Sequence, residues 1–349
     1  MAAVAGGRRP AVVVANGTEG EPLSDKDRSL LKHRPHLVLD GVVAAAAAVG
    51  ADQAVVCVER AHPDVAVALR LALSERRDRL AIRLALTPSR YVAGQETALV
   101  RWLDGGEARP VFGTRPFARG VGGRPTLVDN VETLAHVALI ARYGAEWYRQ
   151  FGTADEPGTA LVTVSGAVVR PGVYEVPIGS TLRGLLDAVD AAPARAVLLG
   201  GYFGTWVPAD GIPELTLSAE GLAPVKARLG CGVVFVMPED TCAVQEVAAV
   251  SDWYASQSAG QCGACVFGLA DIATATHHLA DGDDRAEAAT RRWTAMVRRR
   301  GACQLPDGAA GFVDSALDAF VDELDEHRHG RCARPYRGYL PAPAPGGWR

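Results

Sequence analysis

Ala11-Val-Val-Val-Ala15, running into Asn16-Gly17-Thr18-Glu19-Gly20-Glu21-Pro22, is the stretch from which the fold is read. A short β-branched run that breaks at an Asn-Gly pair is a strand delivered into a loop. Outward from it the chain alternates. Pro35 to Val49 reads as a helix and Gln53 to Glu59 as a second buried strand. Pro63 to Arg76 is a helix with Val65, Leu69 and Leu73 on one face, and Leu80 to Leu86 is a third strand. Alternating strands and helices with short connections give a parallel α/β sheet. Pro125 to Tyr148 is expected to be mostly helical.

The polar stretch Gly152 to Gly158 closes this first segment, and from Ala160 the pattern turns to strands around Arg170-Pro171-Gly172. A helix over Ser180 to Val189 follows, then strands at Ala196 to Leu199 and Gly232 to Met237. A hairpin, one helix and further strands make a small α+β domain of the β-grasp type. After Pro238, apolar spacing predicts helices over 244–254, 265–279, 286–297 and 312–324, a bundle of about four. The expected domains are 1–151, 158–238 and 240–330. The Pro- and Gly-rich residues 333–349 are expected to be an unstructured tail.

Composition narrows the classes. Hydrophobic residues are 48% and charged ones 22% of 349, which excludes a disordered or collagen-like chain. A net charge of −4 argues against a general nucleic-acid binder, which needs a basic face. The excess of Arg over Lys, 33 against 3, reads as coding bias. The longest uncharged apolar run, Gly41 to Gly50, is too short to span a bilayer, and the first residues lack the order of a signal peptide. A cytoplasmic protein is expected, or a subunit peripheral to the inner face of a membrane.

The loops at strand ends are candidate sites, because open α/β sheets bind ligands at the carboxyl ends of their strands. Asn16 and Thr18 can hydrogen-bond a ligand's ring or hydroxyls, and Glu19 can accept from sugar hydroxyls; a solvated surface turn is the equal alternative. Gly94 opens a helix with Glu96 and Thr97 in its first turn, a place that suits an anion or, as simply, a helix-dipole partner. Gly120 to Thr126, leading into Asp129-Asn130, is a glycine-rich loop in front of a helix. None of these has the glycine spacing of a dinucleotide fingerprint.

Seven cysteines, an odd number, do not suit a disulfide framework, and five lie after residue 240. In Ser258-Ala259-Gly260-Gln261-Cys262-Gly263-Ala264-Cys265, two thiolates can reach one metal or cluster face, with Cys303 on a later loop. Zinc, an iron–sulfur cluster and buried free thiols all remain open for this pair.

Together these segments resemble the NADH-oxidising, FMN-binding subunit of respiratory complex I, a family shared with NAD-linked hydrogenases and formate dehydrogenases. The resemblance rests on Asn16 to Pro22 with Asp27-Arg28, Pro35-His36-Leu37, Gly94-Gln95-Glu96-Thr97-Ala98-Leu99, Gly123 to Thr126 through Asn130-Val-Glu-Thr133, and the Gly-x-Cys-Gly-x-Cys run, in that order. It implies a parallel α/β domain for FMN and NAD(H), a β-grasp domain of the soluble-ligand-binding type, and a helical bundle carrying a [4Fe-4S] cluster. It further implies that NADH delivers electrons through FMN and the cluster to a ferredoxin-like partner, or to other complex I-like subunits that reduce quinone. Asn16, Thr18, Glu19, Gly94, Gln95, Glu96, Asp129 and Asn130 would line the flavin and nicotinamide site. Cys262, Cys265 and Cys303 would hold the cluster. The chain departs from the family at Thr18 (usually Asp), Gln95 (usually Glu) and Ala259 (usually Cys). Cys332 is the expected fourth ligand, with Cys231 and Cys242 as second choices. The family's glycine-rich phosphate loop has no counterpart ahead of the first strand, so the α/β domain is expected to be incomplete at its N-terminus and to hold the FMN phosphate poorly. The alternatives are a non-catalytic iron–sulfur scaffold or relay subunit that has lost its flavin, and a zinc-stabilised binding module.

Overall fold

A computed structural model describes every residue except 8, 114, 213 and 214. It divides into two units: Met1–Gly20 with Asp25–Gln150 and Pro345–Arg349, and Glu21–Ser24 with Phe151–Ala344.

In the first unit β1 (Ala11–Gly17), β2 (Ala51–Glu59), β3 (Ala81–Thr87) and β4 (Thr126–Asn130) form a parallel sheet in the order β3-β2-β1-β4. Side chains alternate across a strand, and both faces of β1 are covered. Val13 and Ala15 pack with Val42, Ala45 and Leu134, while Val12 and Val14 pack with Val55, Cys57 and Leu99. This is why β1 is apolar at five successive positions rather than at every second one.

The helices of this unit are α1 (Ala2–Ala5), α2 (Lys26–His33), α3 (Pro35–Val49), α4 (Pro63–Ser74), α5 (Glu96–Leu103), α6 (Val131–Tyr143) and α7 (Ala145–Tyr148). Proline at the start of α3 and α4 presets the helical φ. Gly50, at φ +65°, closes α3 in a left-handed cap. The expected helix from Pro125 begins only at Val131, because Thr126–Asn130 extends as β4, register-paired with Val12–Asn16. The short α2 has no counterpart among the expected helices.

The second unit holds a five-stranded sheet in the order β6-β5-β9-β7-β8. Its strands are β5 (Thr159–Gly166), β6 (Gly172–Pro177), β7 (Ala196–Leu199), β8 (Thr205–Pro208) and β9 (Val233–Val236), and α8 (Leu182–Ala188) packs on them through Leu182, Leu185 and Leu186. β8 is not among the strands expected from sequence. After the one-turn α9 (Ala219–Leu222) come α10 (Ala243–Ser256), α11 (Leu269–Ala280), α12 (Ala286–Val297), α13 (Leu305–Ala319) and α14 (Val321–Arg328). The expected last helix is two, broken at Phe320, whose backbone leaves the helical region at φ −114°, ψ 31°.

The tail is not the unstructured segment expected. It lacks helix and strand, yet the fully buried Glu246 accepts backbone N–H groups from Arg337, Gly338, Tyr339 and Leu340 at 2.8–3.3 Å. Among the described residues no helix is long and apolar enough to cross a membrane.

At Gly41, α3 packs directly against the backbone of α6. A Cβ on Gly41 of α3 would lie 1.8 Å from the Leu134 carbonyl oxygen of α6. Alanine gains about 0.5–1 kcal/mol of helix propensity over glycine, but overpacking typically costs about 1–3 kcal/mol, and here the obstacle is backbone. Gly41→Ala should therefore lower the urea midpoint at unchanged m-value. A midpoint at or above that of the parent would show that the two helices separate freely.

Candidate functional site

The parallel sheet sends every β-to-α connection out at one edge, so the residues singled out in three separate loops meet there. β2 and β3 lie to one side of β1 and β4 to the other; this reversal is where open α/β sheets bind ligands. Asn16, next to last in β1, pairs with Asn130 at the end of β4, and the Asn16 amide donates to Gly94 O at 2.8 Å. Thr18 Oγ1 lies 3.1 Å from Thr87 Oγ1 at the end of β3. The loops touch through backbone: a Cβ on Gly94 would stand 2.9 Å from Thr18 O, and one on Gly20 would stand 2.9 Å from Tyr91 O.

Most of the expected ligand-binding side chains are occupied in building this edge. Glu19, 7% exposed, accepts from Asp27 N at 3.0 Å, Arg28 N at 2.9 Å and Arg28 Nε at 3.2 Å, holding the first turn of α2. Gln95 Oε1 caps α5, accepting from Thr97 N and Ala98 N at 3.0 Å and Thr97 Oγ1 at 2.6 Å. Those first-turn amides are thus spent within the chain rather than offered to an anion. Asn130 Oδ1 caps α6 at Glu132 N, while its amide donates to Asp27 Oδ2 at 2.7 Å. Glu96, exposed, and Asp129, half-buried, are the carboxylates left to face outward. Burial pushes the Asp129 carboxyl above its ordinary value.

Sequence reading gives no role to Lys26 or Glu132. Lys26 is 7% exposed, with Nζ 2.6 Å from Asp27 and 2.9 Å from Glu132. Burial alone would lower its pKa, but the two carboxylates outweigh that and raise it. Asp27 is pushed up to about 6 by burial and the nearby Glu19, against the pull of Lys26. A signal is present: in a chain with 33 Arg and 3 Lys, a lysine marks a place that wants a compact three-donor cation.

In the second unit Cys262, Cys265 and Cys303 come together. Cys262 precedes a single π-helical turn, Ala264–Gly268, that carries Cys265 into α11, and Cys303 lies on the connection from α12 to α13. Burial pushes the Cys265 thiol up to about 12, and the adjacent Cys262 and Cys303 push it the same way. Two sulfurs on one zinc are at most about 4.6 Å apart, twice a Zn–S bond. Cys242, Glu323, His327 and Cys332 form a second group, in which one ligand atom from each lies within 4.8 Å of all the others. Three thiols with no nitrogen or oxygen ligand among them are a donor set that an iron–sulfur cluster takes. Ala259 is buried and offers no ligand.

Cys332 is therefore not a partner of Cys262 and Cys265. His327, in its group, bonds to the carbonyl of Ala280. Ala280 lies fifteen positions beyond Cys265 along a stretch that is nearly all helical, which at 1.5 Å per residue separates the two places by about 22 Å.

Known families account for this layout. Models described as the Nuo51 FMN-binding domain, the SLBB domain and the NADH-ubiquinone oxidoreductase-F iron-sulfur binding region match residues 2–139, 161–189 and 245–327. The F subunit of the NADH-quinone oxidoreductase of Streptomyces coelicolor is 32% identical over 93% of this chain and 77% of its own. That of Mycobacterium bovis is 32% identical over 92% and 77%. The chain belongs to the family of NADH-quinone oxidoreductase F subunits. The Aquifex aeolicus member is 28% identical over 93% of this chain and 80% of its own. Among solved structures, the H2-reduced NAD+-reducing [NiFe]-hydrogenase superposes with a TM-score of 0.85 at 30% identity, over 93% of this chain; the chain spans 58% of that hydrogenase chain. The family's parallel α/β, SLBB and helical iron–sulfur regions are thus all present, in order.

Lys26 tests the edge. In Lys26→Met the Asp27 and Glu132 carboxylates stay buried without their cation, and breaking a buried pair costs about 3–5 kcal/mol. Asp27 would then titrate above its present value. A carboxyl whose folded pKa lies above the unfolded one stabilises the fold below that range, and the benefit is lost as pH rises through the folded pKa. The Lys26→Met deficit in urea should accordingly be largest near neutral pH and shrink toward about pH 5. A deficit that is flat in pH would overturn this account.

Proposed function

We propose that the chain is the NADH-oxidising electron-transfer subunit of a larger oxidoreductase, holding FMN at the carboxyl edge of β1–β4 and a [4Fe-4S] cluster on Cys262, Cys265 and Cys303. The observation that carries this reading is the convergence of residues 16–20, 91–96 and 129–130 on one sheet edge, in the same chain as three clustered thiols. The cofactors supply the chemistry, hydride acceptance by the flavin and one-electron transfer by the cluster.

The protein's residues bind and orient. Glu96 accepts hydrogen bonds from ribose or ribityl hydroxyls. Asp129 and the backbone of Gln95–Glu96 meet the ring edges, while Gly94 lets the loop of residues 91–94 lie against Thr18. Asn16, Thr18, Glu19, Gln95 and Asn130 are positioning residues that fix these loops. The division into 1–151, 158–238 and 240–330 belongs to the same proposal. So do a ferredoxin-like acceptor or other complex I-like subunits as partners, and a cytoplasmic site peripheral to the membrane.

Two substitutions separate the steps. A hydrogen bond to a charged group is worth about 1.5–3 kcal/mol, so Glu96→Gln should raise KM for NADH about ten- to a hundredfold in an NADH:ferricyanide assay on the FMN-loaded chain. Cys303→Ser should abolish the low-temperature EPR signal of the NADH-reduced cluster while the ferricyanide rate, drawn from the flavin, persists. If FMN-loaded protein neither oxidises NADH nor shows a reduced cluster, the reading fails. Brown protein that never takes up flavin would favour the scaffold alternative.

A further inference from the structure

The second cysteine group lies in unit 2 by the end of α11, and the electron-transfer reading makes no use of it. Cys242 is the fully buried N-cap of α10. Glu323 and His327 stand four residues apart on one face of α14, and Cys332 follows that helix. One ligand atom from each lies within 4.8 Å of all the others.

The details orient these atoms toward a common point. His327 Nδ1 is 2.6 Å from Ala280 O, so the ring proton goes to that carbonyl and the Nε2 lone pair is left 3.1 Å from Cys242 Sγ. Glu323 has a side chain 2% exposed. One of its oxygens accepts from Arg195 and the carboxylate faces the Cys242 thiol, while Oε1 is buried with no N–H or O–H donor. A buried carboxylate oxygen without a donor is costly, and such an exception calls for an ion or a water. Gln245 N donates to Cys242 Sγ at 3.4 Å, as an amide does to a ligating thiolate.

We propose that Cys242, Glu323, His327 and Cys332 bind a structural zinc ion. Two thiolates, an imidazole and a carboxylate are a closed four-coordinate zinc set, and a single ion satisfies the orphaned Glu323 oxygen. Three anionic ligands against a divalent ion leave one negative charge, beside which Arg195 and Arg334 both sit. The ion would clamp the chain leaving α14 to the start of α10, where Cys242 N already donates to Pro335 O at 2.9 Å. From there the chain runs over Glu246 to Tyr202 and Trp253, which donate to Pro341 O and Pro343 O.

The test is metal analysis of the full chain carrying its cluster. Wild-type protein should hold stoichiometric zinc beside its iron. Zinc-edge X-ray absorption should show a sulfur shell near about 2.3 Å and a nitrogen/oxygen shell near about 2.0–2.2 Å. Cys332→Ala and His327→Ala should lose zinc and keep iron, and Cys303→Ser should do the reverse. Should those variants fold poorly, chelation of the wild type provides the second arm: hydrogen exchange of amides 335–343 should accelerate and recover on adding zinc chloride. Absence of zinc after incubation with zinc chloride, a zinc shell without sulfur, or loss of iron rather than zinc in Cys332→Ala would each overturn the assignment.

Discussion

The burial of β1 on both faces is the constraint on which the α/β unit depends. Because Val13 and Ala15 must be covered on one side and Val12 and Val14 on the other, helices are required on both, and a parallel sheet with crossover helices supplies them. Parallel strands all end at the same edge. The polar ends of β1, β3 and β4 are therefore forced together, although Asn16, Thr87 and Asn130 are far apart in sequence. The packing that forms the core thus also gathers the site.

Gathering polar loops at one edge has an electrostatic cost, and the chain meets it locally. Glu19, Asp27 and Glu132 crowd the region, and Lys26 and Arg28 divide them: Arg28 serves Glu19 and Lys26 serves Asp27 and Glu132. Arg28, with planar donors, reaches one carboxylate of this trio through Nε, whereas the lysine ammonium turns its donors toward two. The raised carboxyl of Asp27 shows that one cation does not fully offset burial and the Glu19 charge together. Rigidity follows, because few of these groups can move without stranding a buried charge. A rigid edge holds the loops that carry Glu96 and Asp129 in fixed positions.

What the sequence makes legible follows the strength of local signals. Helix α3 is legible to the residue because Pro35 and Gly50 punctuate it. β4 is hidden because it is five residues long and runs into the Asn130 cap with no linker, so strand and helix read as one apolar stretch. α2 is short and polar, with Lys26, Asp27 and Leu31 buried by tertiary packing rather than by any period in the sequence. The tail reads as disorder by composition, and its order depends on Glu246, about ninety residues away. Local signals do not carry such long-range satisfaction of backbone groups. The loop residues are legible as to place, yet several differ from expectation in what they do. A cap and a ligand-binding group present the same side chains, and only the partner tells them apart.

Cysteine counting shows the same limit more sharply. After Ala259 removes one expected thiol, the sequence leaves Cys231, Cys242 and Cys332 as replacements, and a flexible-looking setting makes Cys332 the favourite. The rigid rise of α11 decides otherwise, because a helix is a ruler as well as a packing surface. Cys262 and Cys265 stand before its start, and Ala280, which fixes His327, stands at its end. Thiols at opposite ends cannot share one inorganic centre. The donor atoms then sort the two sets: the set by the end of the helix has single-ion spacing and is completed by an imidazole and a carboxylate, while Cys262, Cys265 and Cys303 are thiols alone. A chain with five cysteines after residue 240 is therefore better described by two groups of distinct chemistry than by one incomplete cluster with spare ligands.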